Sequence, residues 1–124
     1  MMSATAPIIV PAHALISFHC AAGMDRTGVV SMLLLGLAEV SRRQIVADYA
    51  YSFGTVEEVD CALDDHGDAL EEAFITTHLR NRIAIMGAVF DTIVHEHGSV
   101  RRYLASCGLE STTLDAIVDH LTTA

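Results

Sequence analysis

Basic residues are scarce in this chain. It carries seven Lys and Arg against sixteen Asp and Glu, which gives a formal net charge of −9 at pH 7. Nucleic acids and anionic membrane surfaces bind proteins through clusters of Lys and Arg, so this balance argues against both as partners. The same negative charge repels a phosphorylated substrate from the surface as a whole. A site that takes a phosphate must therefore attract it locally.

Cysteine and long apolar segments are also in short supply. The three cysteines, Cys20, Cys61 and Cys107, form no C-x-x-C pair, which indicates a reducing compartment and no metal framework. The apolar run at residues 29–40 is too short to span a bilayer, so no membrane insertion is expected. Residues 1–10 lack the basic start and the long apolar core of a signal peptide. We therefore expect a cytoplasmic protein.

The length of 124 residues allows at most one domain, yet one large enough to bury a core. Residues 1–12 are expected to be an irregular lead-in, because they contain both prolines of the chain. Residues 14–18 form an apolar run typical of a strand buried in the middle of a sheet. No other segment favours a strand, and a lone central strand cannot satisfy its backbone groups. It must pair either with a missing N-terminal half or with another copy of the chain; in the second case the chain self-associates through this unpaired strand.

The rest of the chain favours helices, about seven in all by apolar periodicity and capping residues. The first covers residues 27–39 and is apolar nearly all round, which favours a central position. Capping boxes at residues 41–44, 55–58 and 68–71 begin three more. The last of these leads toward position 79, and a turn is expected near Asn81, with one continuous helix as the alternative.

Three helices are predicted in the C-terminal part. The first has apolar residues at helical spacing and ends at Gly98; these residues are Ile83, Met86, Phe90, Ile93 and Val94. Ser99 is expected to cap a short helix that reaches Cys107. The final helix covers residues 111–121, with Leu114, Ile117, Val118 and Leu121 on one face.

The most informative segment is residues 19–28, with the sequence HCAAGMDRTG. It lies between the predicted strand and the predicted helix 27–39. Its backbone N–H groups and the N-terminus of that helix therefore point at one position, an arrangement that binds anions. A cysteine near the start of the loop and an arginine near its end turn an anion site into one that can cleave a phosphate ester.

Several loop residues have a direct chemical use. Cys20 lies at a helix N-terminus and near Arg26, and both features lower a thiol pKa toward the reactive thiolate. Arg26 offers a planar set of donors that grips two phosphate oxygens. Asp25 is placed to donate a proton to the departing alcohol and later to accept one from water. Thr27 is placed to hydrogen-bond the sulfur as it leaves phosphorus.

The other loop residues bind phosphate through their main chain or hold the loop. Gly23 allows a backbone conformation closed to other residues, so that successive N–H groups point inward. Gly28 allows the helix to start close to the strand or loop, and His19 is expected to orient the loop through hydrogen bonds. The expected site has Cys20, Asp25 and Arg26 as catalytic residues, Ala21, Ala22, Gly23, Met24 and Thr27 as substrate-binding residues, and His19 and Gly28 as orienting residues.

No metal or other cofactor is expected. His95 and His97 are two positions apart and point to different faces of a helix, so they do not form a ligand pair. Arg26 and the loop N–H groups supply the positive field that a metal would otherwise provide.

The pattern Cys-x5-Arg-Thr-Gly, with His before the cysteine and Gly inside the loop, resembles the active-site loop of the cysteine-dependent protein-tyrosine phosphatases. Asp directly before Arg is similar to the bacterial tyrosine/serine phosphatase branch of that superfamily. Residues 45–49 and 97–109 are similar to later parts of the family's chain, so the resemblance covers nearly everything from Leu15 to the end. It implies a phosphotyrosine-phosphatase-like α/β fold, here mostly helical with one apolar strand leading into the loop.

The chain departs from that family in two ways. Met24 stands where the branch usually has Lys, which argues against phosphoinositide or doubly charged substrates. Family members also place the loop well past the middle of a longer chain. Residues 13–124 are therefore expected to be the C-terminal part of a phosphatase domain whose upstream half is missing.

The resemblance implies a phosphomonoester hydrolase that dephosphorylates phosphotyrosine, or phosphoserine and phosphothreonine, through a phospho-cysteine on Cys20. Its partner is then a phosphorylated protein or a small phosphomonoester. The sequence leaves open the choice among phosphotyrosine, phosphoserine and phospholipid. The alternative is a truncated, inactive half-domain that keeps the phosphate-binding loop and acts only as a binding or assembly unit.

Overall fold

The computed structural model describes residues 17–21, 25–64 and 73–123. Within these ranges the chain forms no β-strand and six α-helices: α1 (Asp25–Leu37), α2 (Arg42–Ala50), α3 (Val56–Asp64), α4 (Ala73–His97), α5 (Val100–Ser106) and α6 (Ser111–Thr122). The lead-in 1–12 and the helix start at 68–71 lie outside the described residues. So does most of the strand 14–18. Ser17 and Phe18, its last two residues, belong to no regular element.

The longest helix, α4, forms the centre of the bundle. The helices α2, α3 and α5 all pack against it, while α1 packs against α2 and α5. One buried cluster joins three of these helices and consists of Met32 from α1, Ile45, Val46 and Tyr49 from α2, and Met86 from α4. Burial of such apolar side chains is the main stabilising term of a small domain. The cluster therefore fixes α1 against α2 and α4.

The helix α1 differs from its prediction in two respects. It begins at Asp25, two residues before the predicted start, and it ends at Leu37. The earlier start places an acidic residue in the first turn, where a negative charge is favoured by the helix dipole. The helix is also not central on every side, because Val29 and Val30 are 37% and 41% exposed.

Local capping residues set the starts of three helices as predicted. The Ser41 hydroxyl accepts a hydrogen bond from the N–H of Gln44 (3.3 Å) at the start of α2. Thr55 and Glu58 form a reciprocal capping box at α3, with N–H donors 3.2 and 3.0 Å from the opposite side-chain oxygens. The hydroxyl of Ser99 caps α5, and Gly98 ends α4 with a φ of +88°.

The turn predicted near Asn81 is wrong, because α4 continues through this residue to His97. Asparagine is a weak helix former, but relative to alanine it destabilises a helix by about 0.7 kcal/mol at most. Leu79 and Met86, on either side of Asn81, are buried in the core. The single continuous helix keeps both on one apolar face, and this burial outweighs the local preference.

The final helix α6 matches its prediction to within one residue. Leu114 is buried against Leu37 and Val100, which joins α1, α5 and α6 in a further cluster. Leu121, predicted on the same face, is exposed instead. Among the helices of the described ranges, none combines the length and apolarity needed to cross a bilayer.

Candidate active site

The Cys20 sulfur lies at the N-terminal turn of α1. The Thr27 hydroxyl, on the third residue of that helix, donates a hydrogen bond to Cys20 Sγ at 3.1 Å. Both side chains are half-buried. The first-turn N–H groups of a helix have no intrahelical acceptor, and the dipole makes this end positive. The sulfur is therefore placed where negative charge is stabilised.

Asp25 and Arg26 occupy the first two positions of α1, and both are exposed. The guanidinium of Arg26 thus projects from the same turn that carries Thr27. Ala21 forms a bend directly after Cys20, and His19 is exposed. The remaining predicted loop residues, 22–24, lie outside the described residues, so the inward-pointing amides expected there stay a prediction.

At Gly28, α1 lies close against the Tyr49 ring of α2. A Cβ added at this position would lie 2.7 Å from both Cδ1 and Cε1 of Tyr49. Contacts under 3.0 Å essentially never occur for real Cβ atoms. In the described part of the chain, the neighbour that requires a glycine here is thus an aromatic ring of α2.

Sequence reasoning missed two residues that contact Asp25. The Tyr49 hydroxyl donates a hydrogen bond to Asp25 Oδ1 at 3.2 Å, and Arg82 Nη1 lies 3.7 Å from the same oxygen. Tyr49 is only 6% exposed and lies at apolar spacing with Ile45 and Val46, so its pattern indicates a core residue of α2 and not a site residue. Arg82 carries no local signal, because only the packing of α4 beside α2 brings it to Asp25.

Arg82 is itself held by an aromatic residue. Its guanidinium carbon lies 4.5 Å from the centroid of the Phe53 ring. Phe53 in turn packs edge-on against Tyr49, with ring centroids 5.2 Å apart. A cation over an aromatic face and an edge-to-face ring pair are both favourable geometries. The residues around Asp25 therefore form one packed unit.

The two other cysteines lie away from these contacts and are half-buried. Cys61 belongs to α3, and Cys107 forms the C-cap of α5. A hydrogen bond to Cys107 raises the pKa of the Tyr103 phenol above its ordinary value. The Tyr103 ring also packs edge-on against His97, with centroids 5.0 Å apart. These contacts stabilise the junction of α4 and α5.

An apolar groove of about 410 Å³ runs between α1, α4 and α5. It is lined by Val29, Leu33, Ala88, Val89, Thr92, Ile93 and Tyr103. Among the described residues, no charged side chain lines this groove, so they do not make it a phosphate site. The polar candidates for chemistry lie instead at the N-terminus of α1.

Sequence comparison with known proteins identifies a family for this chain. Residues 4–123 match the sequence model described as the tyrosine phosphatase family. The chain belongs to the tyrosine phosphatase family. The predicted resemblance is thereby confirmed, and the mostly helical structure agrees with a phosphatase-like fold, while the α/β character stays a prediction.

Two relatives of this phosphatase-family chain carry functional names. It is 37% identical over 99 residues to a protein from Nostoc commune named tyrosine-protein phosphatase. It is 29% identical over 110 residues to a Mycobacterium tuberculosis protein named triple specificity protein phosphatase PtpB. These matches cover 74% and 78% of this chain, but only 34% and 40% of the two relatives. No solved structure matches the chain.

Proposed function

We propose that this phosphatase-family chain is a phosphomonoester hydrolase that uses Cys20 as its nucleophile. The observation that supports this most directly is the position of the Cys20 sulfur, 3.1 Å from the Thr27 hydroxyl at the N-terminus of α1. A helix N-terminus stabilises both a thiolate and the phosphate that it attacks. Phosphotyrosine is the proposed substrate, with phosphoserine and phosphothreonine as substrates for the same chemistry.

In the first step, the Cys20 thiolate attacks phosphorus. The S–P bond forms, the P–O bond to the leaving group breaks, and Asp25 gives its proton to the departing oxygen. Arg26 grips two oxygens of the transferring phosphoryl group in a bidentate manner. Its charge stabilises those oxygens through the transition state.

In the second step, water attacks the phosphorus of phospho-Cys20. Asp25, now ionised, accepts a proton from that water, and the S–P bond breaks to release inorganic phosphate. The Thr27 hydroxyl stabilises the leaving thiolate through the hydrogen bond that it already donates to Sγ. No metal or redox cofactor takes part in this proposal, because Arg26 and the helix N-terminus provide the positive charge.

Replacement of the nucleophile tests the proposal. Cys20→Ser should abolish hydrolysis of p-nitrophenyl phosphate, since a serine hydroxyl is not ionised at neutral pH. Cys107→Ser is the matched control, because it makes the same sulfur-to-oxygen replacement at a cysteine outside the site. The serine hydroxyl still accepts a hydrogen bond from Tyr103, so this variant should retain activity. Brief reaction with ³²P-labelled substrate and acid quenching should leave label on wild type and none on Cys20→Ser. Unchanged hydrolysis by Cys20→Ser would overturn the assignment.

A phosphate-binding or assembly unit without turnover is the second candidate. One observation favours it: the apolar side chains of Val29 and Val30 are exposed just beyond the site. Turnover with cooperative unfolding would refute it. Binding of inorganic phosphate without turnover would favour it over the enzyme. Self-association through residues 14–18 stays a prediction, and a monomer by light scattering at high concentration would contradict it.

A further inference from the structure

We propose that Tyr49 and Arg82 are positioning residues that hold the carboxylate of Asp25 for proton transfer. This inference rests on the proposed function and adds two residues to its site. Both groups contact the same oxygen, Oδ1, at 3.2 Å from Tyr49 and 3.7 Å from Arg82. With Oδ1 held in this way, Oδ2 is the oxygen assigned to exchange the proton with the leaving group and with water.

Asp25 needs such partners because of its place in the fold. Its side chain is 80% exposed on the first turn of α1, so packing alone does not select one rotamer. Proton transfer requires the carboxylate oxygen within about 2.6–3.2 Å of the reacting oxygen. A misplacement of about 1 Å costs up to about a hundredfold in rate. Donors from two other helices, α2 and α4, remove that freedom.

The two positioning residues are fixed more firmly than the residue that they hold. The Tyr49 ring is buried in the core and is pressed against the backbone of Gly28. The Arg82 guanidinium lies over Phe53, whose ring packs edge-on against Tyr49. The hydroxyl and the guanidinium therefore reach Asp25 from side chains that pack on one another, and supporting residues held in this way maintain the geometry of catalytic groups.

Leaving-group dependence separates a positioning role from a structural one. Protonation of the leaving oxygen matters most when the leaving group is a poor one, such as phenol, and matters less for the more acidic p-nitrophenol. A variant that misplaces Asp25 should therefore lose much more kcat/KM with phenyl phosphate than with p-nitrophenyl phosphate. A variant that only loosens the fold should lose activity equally with both substrates.

Tyr49→Phe removes the hydroxyl and keeps the ring, so the packing against Gly28 and Phe53 is preserved. We expect about a tenfold loss of kcat/KM with phenyl phosphate, the value of one hydrogen bond, and less than a twofold loss with p-nitrophenyl phosphate. Tyr51→Phe is the matched control, since Tyr51 lies two positions on and is exposed. It should behave as wild type with both substrates.

Arg82→Gln is the second variant, and it tests the same role even if Tyr49→Phe disturbs folding. It should show the same substrate-dependent loss, whereas Arg102→Gln, a change at an exposed arginine of α5, should show none. Combining either positioning variant with Asp25→Asn completes a double-mutant cycle. Neither Tyr49→Phe nor Arg82→Gln should reduce kcat/KM further once the carboxylate is gone.

The possible results distinguish failure of this inference from failure of the proposed function. If wild type is active and depends on Cys20, but Tyr49→Phe and Arg82→Gln behave as their controls, the positioning role is wrong and the hydrolase stands. Equal losses with both substrates, or fully additive losses on top of Asp25→Asn, also overturn the positioning role. If Cys20→Ser leaves the rate unchanged, or wild type has no turnover, both proposals fall together.

Discussion

Gly28→Ala tests the contact between α1 and α2 at the candidate site. The added Cβ would lie 2.7 Å from two carbons of the Tyr49 ring, whereas ordinary contact begins at 3.4 Å. The ring must therefore retreat by about 0.7 Å, the difference between these two distances. Tyr49 is 6% exposed and belongs to the buried cluster with Met32 and Met86, so a shift of its ring disturbs packed neighbours.

The expected cost follows from two opposing effects. Forcing an extra methyl group into a packed core destabilises a protein by about 1–3 kcal/mol. Alanine in place of a helical glycine returns up to about 1 kcal/mol through helix propensity. We expect Gly28→Ala to lower the free energy of unfolding by about 1–2 kcal/mol, measured by urea denaturation monitored by circular dichroism. Activity with phenyl phosphate should also fall, because the Tyr49 hydroxyl moves with its ring.

Gly87→Ala provides the control for Gly28→Ala. Gly87 is a helical glycine as well, but the side chain facing it is the guanidinium of Arg42, the flexible end of an exposed side chain that can move aside. This variant should gain helix propensity and be as stable as wild type or slightly more so. If Gly28→Ala matches Gly87→Ala in stability, the Tyr49 ring has room to move and the reasoning about α1 and α2 is refuted.

Two further predictions concern stability outside the site. Glu39 has a left-handed φ of 63° just after α1, a conformation that costs a residue with a side chain about 1–2 kcal/mol. Glu39→Gly should therefore raise the urea midpoint of unfolding. An unchanged or lower midpoint would contradict this. The hydrogen bonds from Arg42 to Asp91, at 2.8 and 2.9 Å, lower the pKa of that carboxyl. Because the pair is largely exposed, Arg42→Gln should lower the free energy of unfolding by only about 0.2–1 kcal/mol. This loss applies above about pH 4, the pKa of an aspartate in the unfolded chain. That difference should vanish as the pH falls through the lowered pKa of Asp91, and a difference that persists in acid would contradict the assignment.

Local signals in the sequence explain which parts of the fold were predictable. Ser41, Thr55 and Ser99 each satisfy N–H groups within three residues of themselves, so the sequence alone indicates where α2, α3 and α5 begin. The turn at Asn81 failed for the opposite reason. Its local preference for a turn is overruled by the burial of Leu79 and other apolar residues, which depends on helices distant in the sequence.

The contacts of the candidate site show the same difference between residues that are near and residues that are distant in the sequence. Cys20 and Thr27 are seven positions apart, and the loop motif was sufficient to anticipate their contact. Tyr49 lies 24 positions from Asp25, and Arg82 lies farther still, so no local pattern relates them. Their meeting depends on α2 and α4 packing together beside the start of α1. Only a structure could assign them to the site.

The two residues by which α1 starts earlier than predicted decide how the site is arranged. Because Asp25 lies inside the helix, it shares the first turn of α1 with Thr27. Thr27 accordingly reaches the Cys20 sulfur, while Asp25 reaches Tyr49 on α2 and Arg82 on α4. Arg26 lies between them in the sequence. One helical turn thus carries the group that stabilises the nucleophile, the proposed phosphate-binding cation and the proposed acid, and a substitution that shifts the start of α1 changes all three at once.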